Sequence, residues 1–178
     1  AAVQVNLGAG NANNRLTNNG MVSPGDFYNR QTTTVTGNFT QSSTGRYLTD
    51  LFLNNNTTDQ IIIQGTPGTT GTANLDGRVR LSFNNPGWAA PGTYDRMILR
   101  ADNGLDSWIG NTGFAALESP PSAVFTPDLH LDSNVSPNEV HLGYSINFAP
   151  SGLTGNQRAV GNAALIAGKS EAEIRELV

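Results

Sequence analysis

The sequence predicts a mainly β protein that ends in a short helix, and three observations predict it. Short segments with apolar residues at every second position recur, separated by Gly, Asn and Pro clusters. Only 13% of the 178 residues are charged, against about a quarter in an ordinary domain. The polar surface comes instead from Asn, Thr, Ser and Gln, which suit β surfaces and tight turns better than helices. After residue 150 the period-two pattern gives way to three- and four-residue spacing.

The elements follow in order. VQV near the N-terminus is the first strand, and NNG (18–20) and SPGD (23–26) are turn signals. TTTVTGNFTQ (32–41) reads as one strand, with Val35, Gly37 and Phe39 on one face and Thr on the other. RYLTDLFL (46–53) is strongly apolar. DQIIIQG (59–65) carries three β-branched residues in a row, as a strand buried on both faces does. TANLDGRVRLSF (72–83) breaks at Asp76-Gly77, a hairpin-like or corner turn, then points Val79, Leu81 and Phe83 inward. TYDRMILRA (93–101) follows a Pro-Gly turn. AVFTPDLHLD (123–132) contains a proline, which places it at a sheet edge or a bend. NEVHLGYSINF (138–148) has the cleanest alternation: Val140, Leu142, Tyr144, Ile146 and Phe148.

The helix signal starts at Thr154, with Gln157 three residues on, the spacing of a capping box. Ala159, Val160, Ala163 and Ala164 then form a thin apolar stripe, which needs a partner surface. Gly168 interrupts it. Ser170 with Glu173 repeats the box, and Ile174, Leu177 and Val178 make a second small apolar face.

Strands spaced by turns make a sandwich, a barrel or a β-solenoid. Two features lean toward a solenoid: β-branched interiors alternate with Asn- and Gly-rich corners, and the pattern apolar-x-Gly-x recurs in VTGNFTQ and in IIQGT and ANLDGRVRL. Gly and Asn suit such corners because they tolerate left-handed backbone. Trp88, Trp108, Phe114 and Phe125 fall between the strong strands and are expected to cap the open end of the last coil, or else to serve as separate loop anchors.

The composition excludes several classes. The net charge is −4 and Lys169 is the single lysine, so no clustered basic surface for nucleic acid is visible. No cysteine is present, which excludes disulfides, thiolate metal sites and Cys nucleophiles. No apolar run spans a bilayer as a helix, and AAVQVNLGAG lacks the basic and apolar regions of a signal peptide. Nucleotide, zinc-protease, serine-hydrolase and calcium-repeat motifs are missing, so no cofactor is expected.

The sharpest chemical candidate is DLHLD. Asp128, His130 and Asp132 share one face of a strand, about 7 Å apart in turn, and could hold a divalent metal. The plainer reading is a polar outer face over a leucine core. His141 takes the equivalent outward position on the cleanest strand and approaches His130 if the two strands pair. Asp95, Asp102 and Asp106 could border a glycan-cleaving groove, although Asp is common in turns. Thr32, Thr33, Thr34 and Thr36 read as an outward β face rather than a repeated ice-binding array. Asn38, Asn55, Asn56 and Asn134 fit glycosylation sequons, which matter only in a eukaryotic secretory setting.

The order of these pieces carries a resemblance. NNGMVSPGD, TVTGNFTQSSTGRYLTDLFL, DQIIIQGT, ANLDGRVRLSF, PGTYDRMILRA, FTPDLHLD, EVHLGYSINF and LTGNQRAVGNAAL together resemble the C-terminal passenger region of pertactin-like bacterial autotransporters over residues 17–165. The resemblance implies a right-handed parallel β-helix over residues 1–150 with an autochaperone-like cap, then a helical linker over 151–178. It implies type V secretion through the outer membrane to the cell surface or medium, with a C-terminal translocator β-barrel of the same polypeptide as partner. TPGTTGT (66–72) departs from the pattern as an insertion, and no barrel strands follow Val178, which suggests a fragment or a released passenger piece. No catalytic residue is expected. The folding core is Phe39, Ile61, Ile63, Leu75, Val79, Leu81, Tyr94, Val140, Leu142, Tyr144 and Ile146, with Thr154 and Gln157 as the helix cap. The alternatives are a β-helical polysaccharide lyase or hydrolase and a surface adhesin module.

Overall fold

The computed structural model describes residues 2–25, 29–84, 89–107, 114–132 and 138–167. In chain order its strands are β1 (Ala2–Asn6), β2 (Arg15–Asn18), β3 (Met21–Val22), β4 (Thr32–Thr36), β5 (Asn38–Gln41), β6 (Arg46–Phe52), β7 (Thr57–Thr58) and β8 (Gln60–Gln64). They continue with β9 (Ala73–Asn74), β10 (Arg78–Asn84), β11 (Gly92–Ala101), β12 (Leu105–Ser107), β13 (Ala116–Glu118), β14 (Phe125–Leu131) and β15 (Glu139–Ile146), then the helix α1 (Gly155–Ala167). The protein is therefore mainly β.

The strands form three sheets, ordered β1-β4-β8-β11-β15-β14, β2-β5-β9-β12 and β3-β6-β10-β13, with β7 paired to β6. The chain thus visits the three sheets in rotation four times, as β1-β2-β3, β4-β5-β6, β8-β9-β10 and β11-β12-β13. Strands of successive circuits pair in parallel, as β1, β4 and β8 do. The antiparallel pairs are β6–β7, β11–β15 and β14–β15.

Corners correct one strand assignment and decide another. TTTVTGNFTQ is two strands, because Gly37, at φ 135°, turns β4 of one sheet into β5 of the next. A Cβ there would lie 2.9 Å from the Asn14 carbonyl oxygen, closer than real Cβ contacts come. Thr33, two residues from Val35 on the same strand, shares the inner face with it and is buried, so the outward threonines are Thr32, Thr34 and Thr36. Of the two turns expected at Asp76-Gly77, hairpin-like or corner, the corner forms, since β9 and β10 belong to different sheets. Here the corners stack: Arg46 N–H donates to Gly20 (2.7 Å), Arg78 N–H to Gly45 (3.1 Å) and Ala115 N–H to Gly77 (2.7 Å). The TPGTTGT segment packs back on the fold, with Thr70 buried and its hydroxyl donating to the Ala9 carbonyl at 2.7 Å.

A polar ladder runs inside the next corner. Asn18 Nδ2 donates to Gln41 Oε1 at 2.9 Å, and Gln41 Nε2 donates to the carbonyls of Asp76 (2.9 Å) and Arg78 (3.2 Å). Gln41 is only 1% exposed, so removing it strands buried groups on both neighbouring circuits. Gln41→Ala is expected to cost about 2–3 kcal/mol, read as a lower urea midpoint at unchanged slope.

The core confirms the alternation. Ten of the eleven expected core residues are buried, and Tyr94 is half-buried against them. Tyr94 stacks on Tyr144 with ring centroids 5.0 Å apart, while its hydroxyl reaches the rim and donates to the Ala90 carbonyl at 2.9 Å. Ile61, Ile62 and Ile63 are all buried, and the outward Ile62 lies in register between Thr34 of β4 and Arg100 of β11.

β11 is where the stacking rule changes. Its last residues, Leu99–Ala101, pair in parallel with β8 on one edge, while Gly92–Arg100 pair antiparallel with β15 on the other, with a register shift between Met97 and Leu99. β14 then forms the sheet edge, where Pro127 removes no interior hydrogen bond. Phe125 packs edge-on against Phe83 (4.8 Å) and lies 5.3 Å from Tyr144, and Phe114 lies 6.3 Å from Tyr47. Trp88 and Trp108 lie outside the described residues, as do the second capping box and Ile174 to Val178. The first box forms as expected: Thr154 N–H donates to Gln157 Oε1 (2.9 Å) and Gln157 N–H lies 3.4 Å from Thr154 Oγ1. The helix touches the body at Gly161, whose missing Cβ lets it approach the Phe148 carbonyl, while Val160 is 70% exposed.

Candidate functional site

The three antiparallel strands that end the first sheet carry the densest group of titratable side chains among the described residues. Alternation sends Val140, Leu142 and Tyr144 inward, so Glu139, His141 and Gly143 of β15 face outward. The same parity on β14 turns Asp128 and His130 outward. Register then aligns the rows. Asp95, Gly143 and Asp128 lie side by side, as do Met97, His141 and His130. Asp132 lies opposite Glu139, its N–H 3.4 Å from the Glu139 carbonyl.

Gly143 opens the space above the sheet. A Cβ on it would lie 2.5 Å from Asp128 Oδ1 and 3.0 Å from His130 Cε1. Without it, Asp95 and Asp128 lean toward the histidines. Asp95 Oδ1 lies 2.9 Å from His141 Nδ1, and Asp95 Oδ2 lies 3.4 Å from His130 Nε2. On their far sides, His130 Nδ1 lies 3.0 Å from Asp128 Oδ2, and His141 Nε2 lies 3.2 Å from Glu139 Oε2. Asp132 Oδ2 is 4.0 Å from the same His141 nitrogen. The two imidazole centroids are 5.9 Å apart.

Each imidazole therefore sits between two carboxylates. A neutral imidazole has one N–H to donate, so its other nitrogen presents a lone pair to a carboxylate oxygen. A cation between them, proton or metal ion, satisfies both. His141 is sheltered, with its side chain 12% exposed, while His130 at 38% and Asp95 at 50% line the solvent side.

The DLHLD residues are thus brought onto one face but play different parts. His130 joins His141, Asp128 stands at the rim against His130, and Asp132 sits beside His141 instead. Asp95 belongs here rather than with Asp102, which pairs with Arg100 at 3.5 Å. The side chain of Asp106 and the whole of Asn134 lie outside what is described. Glu139 is a member that sequence reasoning missed. Its signal was the i, i+2 spacing to His141, followed by a glycine inside a strong strand pattern. Asn56 has a structural role: at φ 54° it accepts a 2.6 Å hydrogen bond from the Tyr144 hydroxyl, whose pKa burial pushes up to about 12.

Comparison with known proteins finds no matching family model, no matching curated protein and no matching solved structure.

Proposed function

We propose that the chain is the C-terminal end of an autotransporter passenger: a right-handed parallel β-helix closed by an antiparallel cap, which seeds folding during export to the bacterial cell surface. The rotation of the chain through three mostly parallel sheets supports the β-helix. Parallel crossovers are right-handed in about 98% of cases, which supports the hand. The observation that carries the function is that in the first sheet parallel stacking stops at β11, and β15 and β14 continue the sheet antiparallel with Val140, Leu142, Tyr144 and Ile146 buried. Each circuit of a solenoid buries its interior only against a neighbour. A closed end is therefore a ready template on which upstream circuits add. On this reading α1 leads toward a translocator barrel of the same polypeptide, the partner for its exposed Val160.

The experiment is surface display of a longer passenger that carries this segment and its barrel. Leu142→Asp puts a charge where the native side chain is fully buried, at a cost beyond what a marginal fold tolerates. Display, read as protease accessibility on intact cells, is expected to be lost. Ser145→Asp, on the outward face of the same strand, is expected to display normally. Normal display of Leu142→Asp overturns the reading. Nothing observed favours a glycan lyase or hydrolase: Asp95 turns to the histidines and Asp102 to Arg100, so the two do not line a common groove.

A further inference from the structure

We propose that Asp95, His130 and His141 form a binding site for a divalent transition-metal ion of the zinc class, tying β11, β14 and β15 together on the outer face of the cap. The three ligand atoms come from three strands that are far apart in sequence and adjacent in the sheet. They all lie within 4.8 Å of one another. Tetrahedral ligands at zinc bond lengths of about 2.0–2.1 Å are roughly 3.3 Å apart. Asp95 Oδ1 lies 2.9 Å from His141 Nδ1 and Asp95 Oδ2 lies 3.4 Å from His130 Nε2, so each carboxylate oxygen stands near that spacing from one imidazole nitrogen.

A second, independent feature separates this group from an ordinary acidic patch. In metal sites the non-ligating nitrogen of a histidine is held by a carboxylate or carbonyl, which fixes the ring and the tautomer. Both histidines here have that partner: Asp128 for His130 Nδ1 and Glu139 for His141 Nε2. With those nitrogens engaged, His130 Nε2 and His141 Nδ1 turn toward Asp95 and one another. The missing Cβ of Gly143 keeps the His130 ring where it is.

Ligand type selects the ion. Two imidazoles suit zinc, nickel, copper and iron, whereas calcium and magnesium take oxygen ligands. Three protein ligands leave a fourth position, and half-exposed Asp95 and His130 place it on the solvent side. The ion also offsets the excess of four carboxylates over two imidazoles. Asp132, Glu139 and His141 form a neighbouring group on the other nitrogen of His141, but it offers one imidazole instead of two. The site does not depend on the export reading, because it needs only the cap sheet.

The test uses the purified chain, stripped with chelator and titrated with Zn2+ by calorimetry. Co2+ absorption and thermal unfolding are the second and third readouts. One Zn2+ per chain is expected, with a higher Tm at saturation and the visible bands of tetrahedral Co2+. Asp95→Asn and His130→Gln, both at exposed positions where folding survives, are expected to weaken Zn2+ binding at least tenfold. Circular dichroism checks that they fold. Asp102→Asn on the neighbouring turn is expected to bind as the wild type does. Failure to bind one Zn2+ per chain overturns the site. So does unchanged affinity in both variants, or a loss confined to Asp132→Asn, which places the ion on the other side of His141.

Discussion

Tyr47→Ala is expected to lower stability by about 3–5 kcal/mol, the usual cost of truncating a large buried aromatic. Tyr47 is fully buried on β6, in register between Val22 of β3 and Val79 of β10, so the cavity opens in the middle of a sheet. The hydroxyl adds a second loss. It donates to the Ile98 carbonyl at 2.8 Å, with the Asp59 carbonyl 3.3 Å away. Ile98 lies at the register shift of β11, so this bond links β6 to the strand where antiparallel pairing with β15 begins. Burial pushes the phenol well above its ordinary value, and it remains a neutral donor. Tyr47→Phe keeps the packing and leaves the Ile98 carbonyl without its donor, for about 1–3 kcal/mol. Urea unfolding of both variants checks the result. Equal losses in the two would mean that the hydroxyl carries the whole effect and the ring's packing little.

The second large effect is a pH dependence centred on Asp59. This carboxyl is fully buried between β7 and β8 and sits beside Asp50, which is 2% exposed. Burial raises its pKa to about 7. The Gln31 N–H at 2.8 Å, the Asp50 N–H at 3.3 Å and the charge of Arg30 pull the other way, and the charge of Asp50 adds to the rise. The unfolded value is about 3.9. Between these values the folded state holds the proton more tightly, so stability falls as pH rises from about 4 to about 7 and then levels off. Each unit is worth about 1.4 kcal/mol, which makes the fall on the order of a few kcal/mol. Asp59→Asn keeps an acceptor for the Gln31 N–H and removes the titration. Its stability relative to wild type is expected to grow across that pH range. A wild-type-to-variant difference that stays constant from pH 4 to pH 8 would show that Asp59 does not titrate there.

Much of this was legible in the chain, for a local reason. Side-chain parity is a property of consecutive residues, so VHLGYSI announced which of its residues face inward whatever the partner strand. Pro127, which has no N–H to give, limited β14 to a sheet edge or a bend, and the edge is what forms. The capping box at Thr154 and Gln157 is complete within four residues. Strand breaks were harder to read. The strand drawn through Gly37 splits because its carbonyl receives the Gly71 N–H of the next circuit and its own N–H donates to Gln64, contacts that a period-two pattern does not contain.

The candidate site shows the same division. DLHLD by itself established that Asp128, His130 and Asp132 share a face, because alternation leaves no other choice. Which of them meet was decided by register between strands. Pairing of β15 with β14 set His141 beside His130, and pairing with β11 brought Asp95 across the gap above Gly143. The chain alone therefore determined a mainly β protein, the inward residues of its strands and the start of its helix, all set by neighbours a few positions apart. The tertiary structure decided the rotation through three sheets, the corners at Gly37 and Gly77 and the membership of the histidine cluster. Those depend on hydrogen-bond register between segments tens of residues apart, and a shift of one residue in any one strand would turn that strand's members of the cluster inward.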